Sequence, residues 1–244
     1  MPDAYDRRAR IAPVVLAAAP LLPFATAALV QLPGWQKLWA TAWLAVPALV
    51  EELGRDRGRR LQVDLWRAWG GAPTTAVLRW RGTGNRVQVQ RRHLLLQQLL
   101  GATPRLPSDG EEAQDPAGAD AVYETAIGVL KEHTRDANRF PLILTENTRY
   151  GFRRNMLGLR PFGLTSSLLG LGAALVAAVA VNGPPAPFLA SAIIDTLLLL
   201  FWWKTVNPMW VQRQAETYAD ALLRSLEHPA PDQGPSTAGN TPAR

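Results

Sequence analysis

Two apolar blocks, residues 11–50 and 161–203, dominate what this chain can fold into; the first holds a single charged residue, Lys37, and the second a single one, Asp195. Twenty helical residues at ~1.5 Å rise span about 30 Å, the hydrocarbon thickness of a bilayer, and Ile11 to Val30 is such a run without a charge. The segment Gln31-Leu-Pro-Gly-Trp-Gln-Lys37 ends it and leaves a shorter run, Leu38 to Val50, with Trp35, Trp39 and Trp43 near its outer end. Those tryptophans suit the membrane interface, and local bilayer thinning absorbs the short length. Asn182-Gly-Pro-Pro-Ala-Pro187 divides the second block into runs over 162–181 and 187–203, because proline withholds a donor and clashes with the preceding turn. The sequence therefore predicts a mainly α, polytopic membrane protein. Two transmembrane helical hairpins, 11–50 and 161–203, flank a mostly helical cytosolic domain, 51–160. A short tail (1–10) precedes them, and an amphipathic helix (204–228) and a disordered tail (229–244) follow.

Basic residues near the span ends give the orientation, since cytoplasmic flanks carry the excess. Arg7, Arg8 and Arg10 precede the first run, Arg55, Arg57, Arg59 and Arg60 follow the first block, and Arg149, Arg153, Arg154 and Arg160 precede the second. The two turns contain only Lys37. Both hairpins are thus expected to enter and leave from the cytoplasm of a bacterial inner membrane, with both termini inside. The N-terminal pattern, ending in Ala25-Thr-Ala27, also matches a secretory signal peptide. The apolar run continues past that site, and cleavage would export an Arg-rich domain, which argues against it. With no cysteine in the chain, disulfide scaffolds, thiolate metal sites and cysteine nucleophiles are excluded.

Of the chain's net +6, residues 51–160 carry +5, arranged as +7 over 51–105, −6 over 106–136 and +4 over 137–160. Such blocks serve as solvated faces and as anchors against anionic lipid, or as a basic pocket for an anionic ligand. Apolar residues at helical spacing predict helices over Leu61–Trp69, Asn85–Leu100 and Ala119–Thr134, with Asp120 as N-cap or first-turn acid. Thr103–Gly118, rich in proline and glycine, reads as a loop, and Phe140–Leu144 as a short strand. Val211, Ala215, Tyr218, Leu222 and Leu226 form the apolar stripe of a last helix.

Asp195 is the foremost candidate residue, because an ionisable group at mid-span costs at least ~2.5 kcal/mol and is kept when it meets a partner or water. It serves either function or an interhelical hydrogen bond to Ser166, Ser167 or Thr41. Ser166, Gly170, Ala174 and Ala178 place a small residue at every fourth position, a face on which a neighbouring backbone packs closely. In the insertion, Gly70, Gly71, Thr74 and Thr75 with Arg79 and Arg81 are candidates for a phosphate-bearing ligand. They lack the spacing and lysine of a P-loop, and a helix end followed by a proline-led restart explains the same residues. Arg149, Tyr150, Arg153 and Arg154 are candidates for a gating elbow before the third span, where Arg and Tyr also snorkel toward headgroups. Arg86 and His93 have a spacing seen in some ribonuclease folds, but the three histidines, His93, His133 and His228, have no clustered partners. No catalytic residue, metal site or cofactor is assigned, and nucleic acid is disfavoured as a partner.

Trp69-Gly-Gly-Ala-Pro-Thr-Thr75, Arg135-Asp136, Tyr150-Gly-Phe-Arg-Arg-Asn155 and Gly158-Leu-Arg-Pro161 together resemble a widespread family of uncharacterised bacterial four-span membrane proteins. That resemblance implies the architecture and carries over no catalytic residue. In layout alone the chain also resembles the four-span effectors of antiphage systems, which respond to a nucleotide second messenger. The expected function is an inner-membrane effector or channel-like protein gated by a nucleotide or protein ligand at the cytosolic domain, with membrane lipid and further copies of itself as partners. The alternatives are a membrane-anchored scaffold using the Val211–Leu226 helix and a membrane-tethered nuclease using Arg86 and His93.

Overall fold

A computed structural model describes residues 7–21, 56–82, 84–180 and 184–227, and all of its regular structure is helical. The second expected span, the turn before it, most of the first hairpin and the C-terminal tail lie outside the described residues. So do Ala25 to Ala27 and the turn residues Asn182 and Gly183. Helix α1 (Ala12–Ala18) is continuous with a π turn, Arg7–Ile11, before it and a 3-10 turn, Ala19–Leu21, after it. Helix α2 covers 56–68, α3 Pro73–Ala76, α4 Arg86–Leu100, α5 Asp109–Gln114 and α6 Pro116–His133. Helix α7 (Pro141–Ala180) is 40 residues long, α8 (Ala186–Leu200) runs into a π turn, Phe201–Thr205, and α9 covers Pro208–Arg224.

Three expectations within the insertion need correction. The predicted strand Phe140–Leu144 is the start of α7: the Phe140 N–H donates to the Asp136 carbonyl, and Pro141 occupies the first helical position, where a missing N–H costs nothing. The run Pro-Leu-Ile-Leu-Thr is apolar at both periods, and burial at Ile143, Glu146 and Tyr150 follows the helical one. The predicted loop Thr103–Gly118 contains α5, closed by a capping box in which Ser108 Oγ accepts from the Glu111 N–H and the Glu111 carboxylate accepts from the Ser108 N–H. Asp115, rather than Asp120, caps α6 by accepting from the Gly118 N–H.

The chain forms two compact units. The first contains residues up to Ala76 and Leu144–Ala219; the second contains Val77–Ile143 and the chain from Asp220 on. Among the described residues, two helices are long and apolar enough to cross a membrane, α7 and the continuous helix Ala186–Thr205. The first unit's core gathers Val14, Leu65, Met156, Leu159, Trp202 and Val211. Outside it, Leu168, Leu169, Val176, Val179, Ile193, Ile194 and Leu197 stay exposed on the two apolar helices. In the second unit, α5 and α4 both pack against α6, around Leu78, Leu96, Tyr123, Ile127 and Leu130.

Candidate functional site

The small-residue face of α7 finds its neighbours within the same chain. Gly163 lies under the Trp202 indole, where a Cβ would collide with the ring. Ser166 Oγ donates to the Ala17 carbonyl at 2.6 Å. At Gly170 a Cβ would stand 2.5 Å from the Pro20 carbonyl oxygen and 2.8 Å from Asp195 Oδ2. Glycine is required there because backbone from the N-terminal segment and the Asp195 carboxyl both reach the α7 surface. Ala174 is buried and Ala178 half-buried.

Asp195 is 1% exposed, and its Oδ1 is buried without a hydrogen-bond partner among the described residues. The two expected serine partners are engaged elsewhere, Ser166 as above and Ser167 with the Gly163 carbonyl at 2.7 Å. Thr41 lies outside the described residues.

Toward its N-terminus, over 146–160, α7 is a hub of side-chain ties. Asn155 Nδ2 donates to the Ala9 carbonyl at 2.8 Å, Arg153 to the Trp210 carbonyl at 2.9 Å, and Arg160 to the Trp203 carbonyl at 3.1 Å. The Arg153 guanidinium also lies 4.9 Å from the centre of the Trp210 ring, and Arg154 donates to Gln62. Arg149 pairs with Glu146 at 2.7 Å, and the other Glu146 oxygen accepts from Gln214 at 2.6 Å. Tyr150 stacks on Tyr218, ring centres 6.4 Å apart. The expected elbow is an uninterrupted stretch of helix whose arginines are engaged within the first unit, Arg149 by a carboxylate, Arg153 by a backbone carbonyl and Arg154 by a side-chain amide.

The phosphate-ligand candidates are divided. Gly70 (φ +75°) and Gly71 (φ +130°) end α2, with the Gly71 N–H donating to the Trp66 carbonyl at 2.7 Å, and both positions require glycine's access to positive φ. Thr74 and Thr75 are buried in α3. Arg79 and Arg81 fall in the second unit with acidic partners. Arg79 forks onto Asp120 at 2.8 and 2.9 Å, and Arg81 reaches Asp120 at 2.7 Å and Glu112 at 2.8 Å. These six residues, close in sequence, fold into a helix end, a short helix and an internal ion-pair network.

That network centres on Glu112, 1% exposed. Its carboxylate accepts from the Trp80 and Arg81 N–H groups at 2.9 and 3.1 Å, from the Arg81 guanidinium, and from the Tyr123 hydroxyl at 2.6 Å. Burial alone would raise the Glu112 carboxyl, and these donors outweigh it and hold it below the usual carboxylate value. Asp120 follows the same logic, burial opposed by the two guanidinium groups, and is also lowered. Burial followed by the hydrogen bond to Glu112 drives the Tyr123 hydroxyl far above its ordinary value. Spacing in the sequence gives no hint of Glu112 or Tyr123.

His93 lies between the rings of Trp80 and Tyr123, with its Nε2 at 2.7 Å from the Leu78 carbonyl. Burial holds the imidazole below its ordinary value. Arg86 is exposed and paired with Asp109, so the structure does not bring the two together on a shared polar surface. No cluster of three or more His, Cys, Asp and Glu side chains with metal-binding geometry occurs among the described residues. Compared with protein families, curated proteins and solved structures, the chain matches none.

Proposed function

We propose that this chain is a multi-pass bacterial inner-membrane protein with four spans and both termini cytoplasmic, acting as an effector or channel-like protein gated by a ligand or partner at its helical insert. The observation that supports this most is α7 itself. Its N-terminal half carries Arg149, Arg153, Arg154 and Arg160, its C-terminal half carries no charge, and no break separates them despite Pro161. A continuous helix that begins where the insert ends gives ligand binding a mechanical route to the apolar half, where Gly170 meets Asp195. The exposed apolar residues of α7 and α8 suit contact with lipid or with further copies of the chain. The layout shared with four-span antiphage effectors fits this reading and makes membrane potential its natural readout.

The nuclease reading has no support in the surroundings of His93, and the scaffold reading needs an apolar stripe that α9 does not offer. Of the expected stripe, Val211, Ala215 and Leu222 are buried within the chain and Tyr218 and Leu226 half-buried. The test follows membrane potential with a voltage-sensitive dye in cells expressing the full chain, a form lacking 78–140 closed by a short linker, and each of these with Asp195→Leu. Depolarisation by the deleted form, absent when Asp195→Leu is added, is the expected result. Equal insertion of all forms with no depolarisation in any of them overturns the channel reading.

A further inference from the structure

The surroundings of Asp195 pose a problem in hydrogen counting. Of the residues from Pro161 to Trp203, Asp195 is the one ionisable side chain, and Ile11 to Leu21 has none. The Pro20 carbonyl oxygen and Asp195 Oδ2 lie on the same side of the Gly170 Cα, no further apart than the sum of their distances to the Cβ that glycine lacks. A peptide oxygen is an acceptor, and so is an ionised carboxylate. Two acceptors brought together without a hydrogen between them repel, and a carboxylate shut away without a partner is costlier still.

Asp195 Oδ1 receives no hydrogen bond from the described residues. From α7, Ser166 and Ser167 give their hydroxyl hydrogens to the Ala17 and Gly163 carbonyls. From α8 itself, Thr196 donates to the Ala192 carbonyl. The nearest basic groups along those elements are engaged at the far end of the apolar segment, Arg160 on the Trp203 carbonyl and Lys204 over the Trp203 ring. In the N-terminal segment the nearest is Arg10, beyond α1. Nothing among the described residues hands the carboxyl a hydrogen, and one carried by the carboxyl itself would reconcile the two facing oxygens.

We infer that Asp195 is a proton-binding site, in which a proton from the aqueous phase bonds to a carboxylate oxygen and the resulting O–H is donated toward the Pro20 carbonyl beside Gly170. One O–H bond forms on uptake and breaks on release, and nothing is oxidised or reduced. Gly170 makes the site, because any side chain there would occupy the space between the two oxygens. The role of the proton, linking Asp195 to conduction, rests on the membrane reading above; the presence of the proton does not. Opening the contact between the N-terminal segment and α7 would remove the acceptor and expose the acid, so uptake and release are tied to movement of that segment.

Infrared difference spectroscopy on the full chain in lipid, wild type minus Asp195→Asn at pH 7, reads the site directly. The expected difference is a carboxylic-acid C=O band that shifts in D2O and is unchanged when sodium replaces choline as the buffer cation. A carboxylate band in its place, or an acid band that sodium abolishes, overturns the proposal, the second in favour of a bound metal cation. Gly170→Ala is expected to move the band to higher frequency as the hydrogen bond to Pro20 is lost, and an unmoved band rules out that acceptor. Should Asp195→Asn not insert, Asp195→Glu serves, since a longer acid keeps the proton and displaces the band. Retention of the chain in membranes through alkaline carbonate without the acid band defeats the proton site alone. Release into the soluble fraction defeats the membrane reading whatever the band shows.

Discussion

Glu112 is the residue on which the second unit's polar interior depends. It accepts four hydrogen bonds, two from backbone N–H groups and two from side chains, while almost wholly buried. Glu112→Gln keeps the shape but turns part of the acceptor into a donor facing N–H groups, and it leaves Arg81 with Asp120 as its remaining acid. Its expected cost is about 2–4 kcal/mol, read as lost hydrogen-exchange protection in 77–143, because a chain with two compact units has no single melting midpoint. Tyr123→Phe removes one donor and is expected to cost less, about 1–2 kcal/mol; equal losses from the two substitutions would show that the hydroxyl, not the carboxylate, organises the network. The same groups set the response to acid. Glu112 and Asp120 sit below their ordinary values of 4.5 and 3.8 when folded, so their stabilisation is complete above those values and is lost as pH falls through them toward the folded ones. His93, lowered from 6.5, acts in the same direction, since below that value the unfolded chain takes a proton that the folded one refuses. Protection of the second unit is therefore expected to fall in steps from about pH 6.5 downward, and protection that rose on acidification would contradict the buried, neutral His93.

At the scale of elements, α7 is held to its neighbours by what its glycines omit. Gly163 admits the Trp202 indole and Gly170 admits Pro20 and Asp195, so close approach at two points along one face fixes how the N-terminal segment and α8 lie on the helix. Gly163→Ala forces the indole out of its place and is expected to cost about 1–3 kcal/mol. Adding Trp202→Phe should recover part of that loss in a double-mutant cycle measured by hydrogen-exchange protection of α7 in detergent; strictly additive losses would mean that the two residues do not share the contact. The face was legible in the sequence as a small residue at every fourth position, and Asp195 as a lone charge in an apolar block, because both signals lie within one segment. The apolar runs over 162–181 and 187–203 were legible for the same reason, whereas the unbroken passage of α7 from Pro141 through Pro161 was not. What was not legible depends on residues far apart in sequence: Glu112 meets Arg81 and Trp80 only after α5 forms, and Arg79 leaves the glycines of 70–71 for Asp120. The strand expected at Phe140–Leu144 failed because five apolar residues fit both periods and only the residues beyond them, Glu146 and Tyr150, settle the helix. Helix α5 had a readable signature, Ser108 followed three residues later by Glu111, which the surrounding prolines and glycines masked.

At the scale of the whole molecule, the number of crossings decides which side of the membrane each segment meets. Two of the described helices are long and apolar enough for the second of the proposed hairpins; the first rests on the apolar composition of 11–50, the arginines on either side of it and the lone Lys37 at its turn. An even number of spans puts residues 56–160 on the same side as both ends of the chain, whereas one crossing in the first block would put the insert and the N-terminus on opposite sides. The absence of native cysteine makes a single introduced thiol an unambiguous reporter. Gln36→Cys and Gly183→Cys, in the two turns, are expected to react with a membrane-impermeant maleimide added to intact cells. Gln98→Cys, on the exposed side of α4, and Ser236→Cys, near the C-terminus, are expected to react only after the membrane is opened. Labelling of both Gln36→Cys and Gln98→Cys from outside would reduce the first block to a single crossing and place the acidic and basic network of the insert in the periplasm, out of reach of any cytosolic ligand. Protection of Gln36→Cys with labelling of Gly183→Cys would leave only the second hairpin, and the contact of Pro20 with Gly170 would then have to form from a segment that enters the membrane without crossing it.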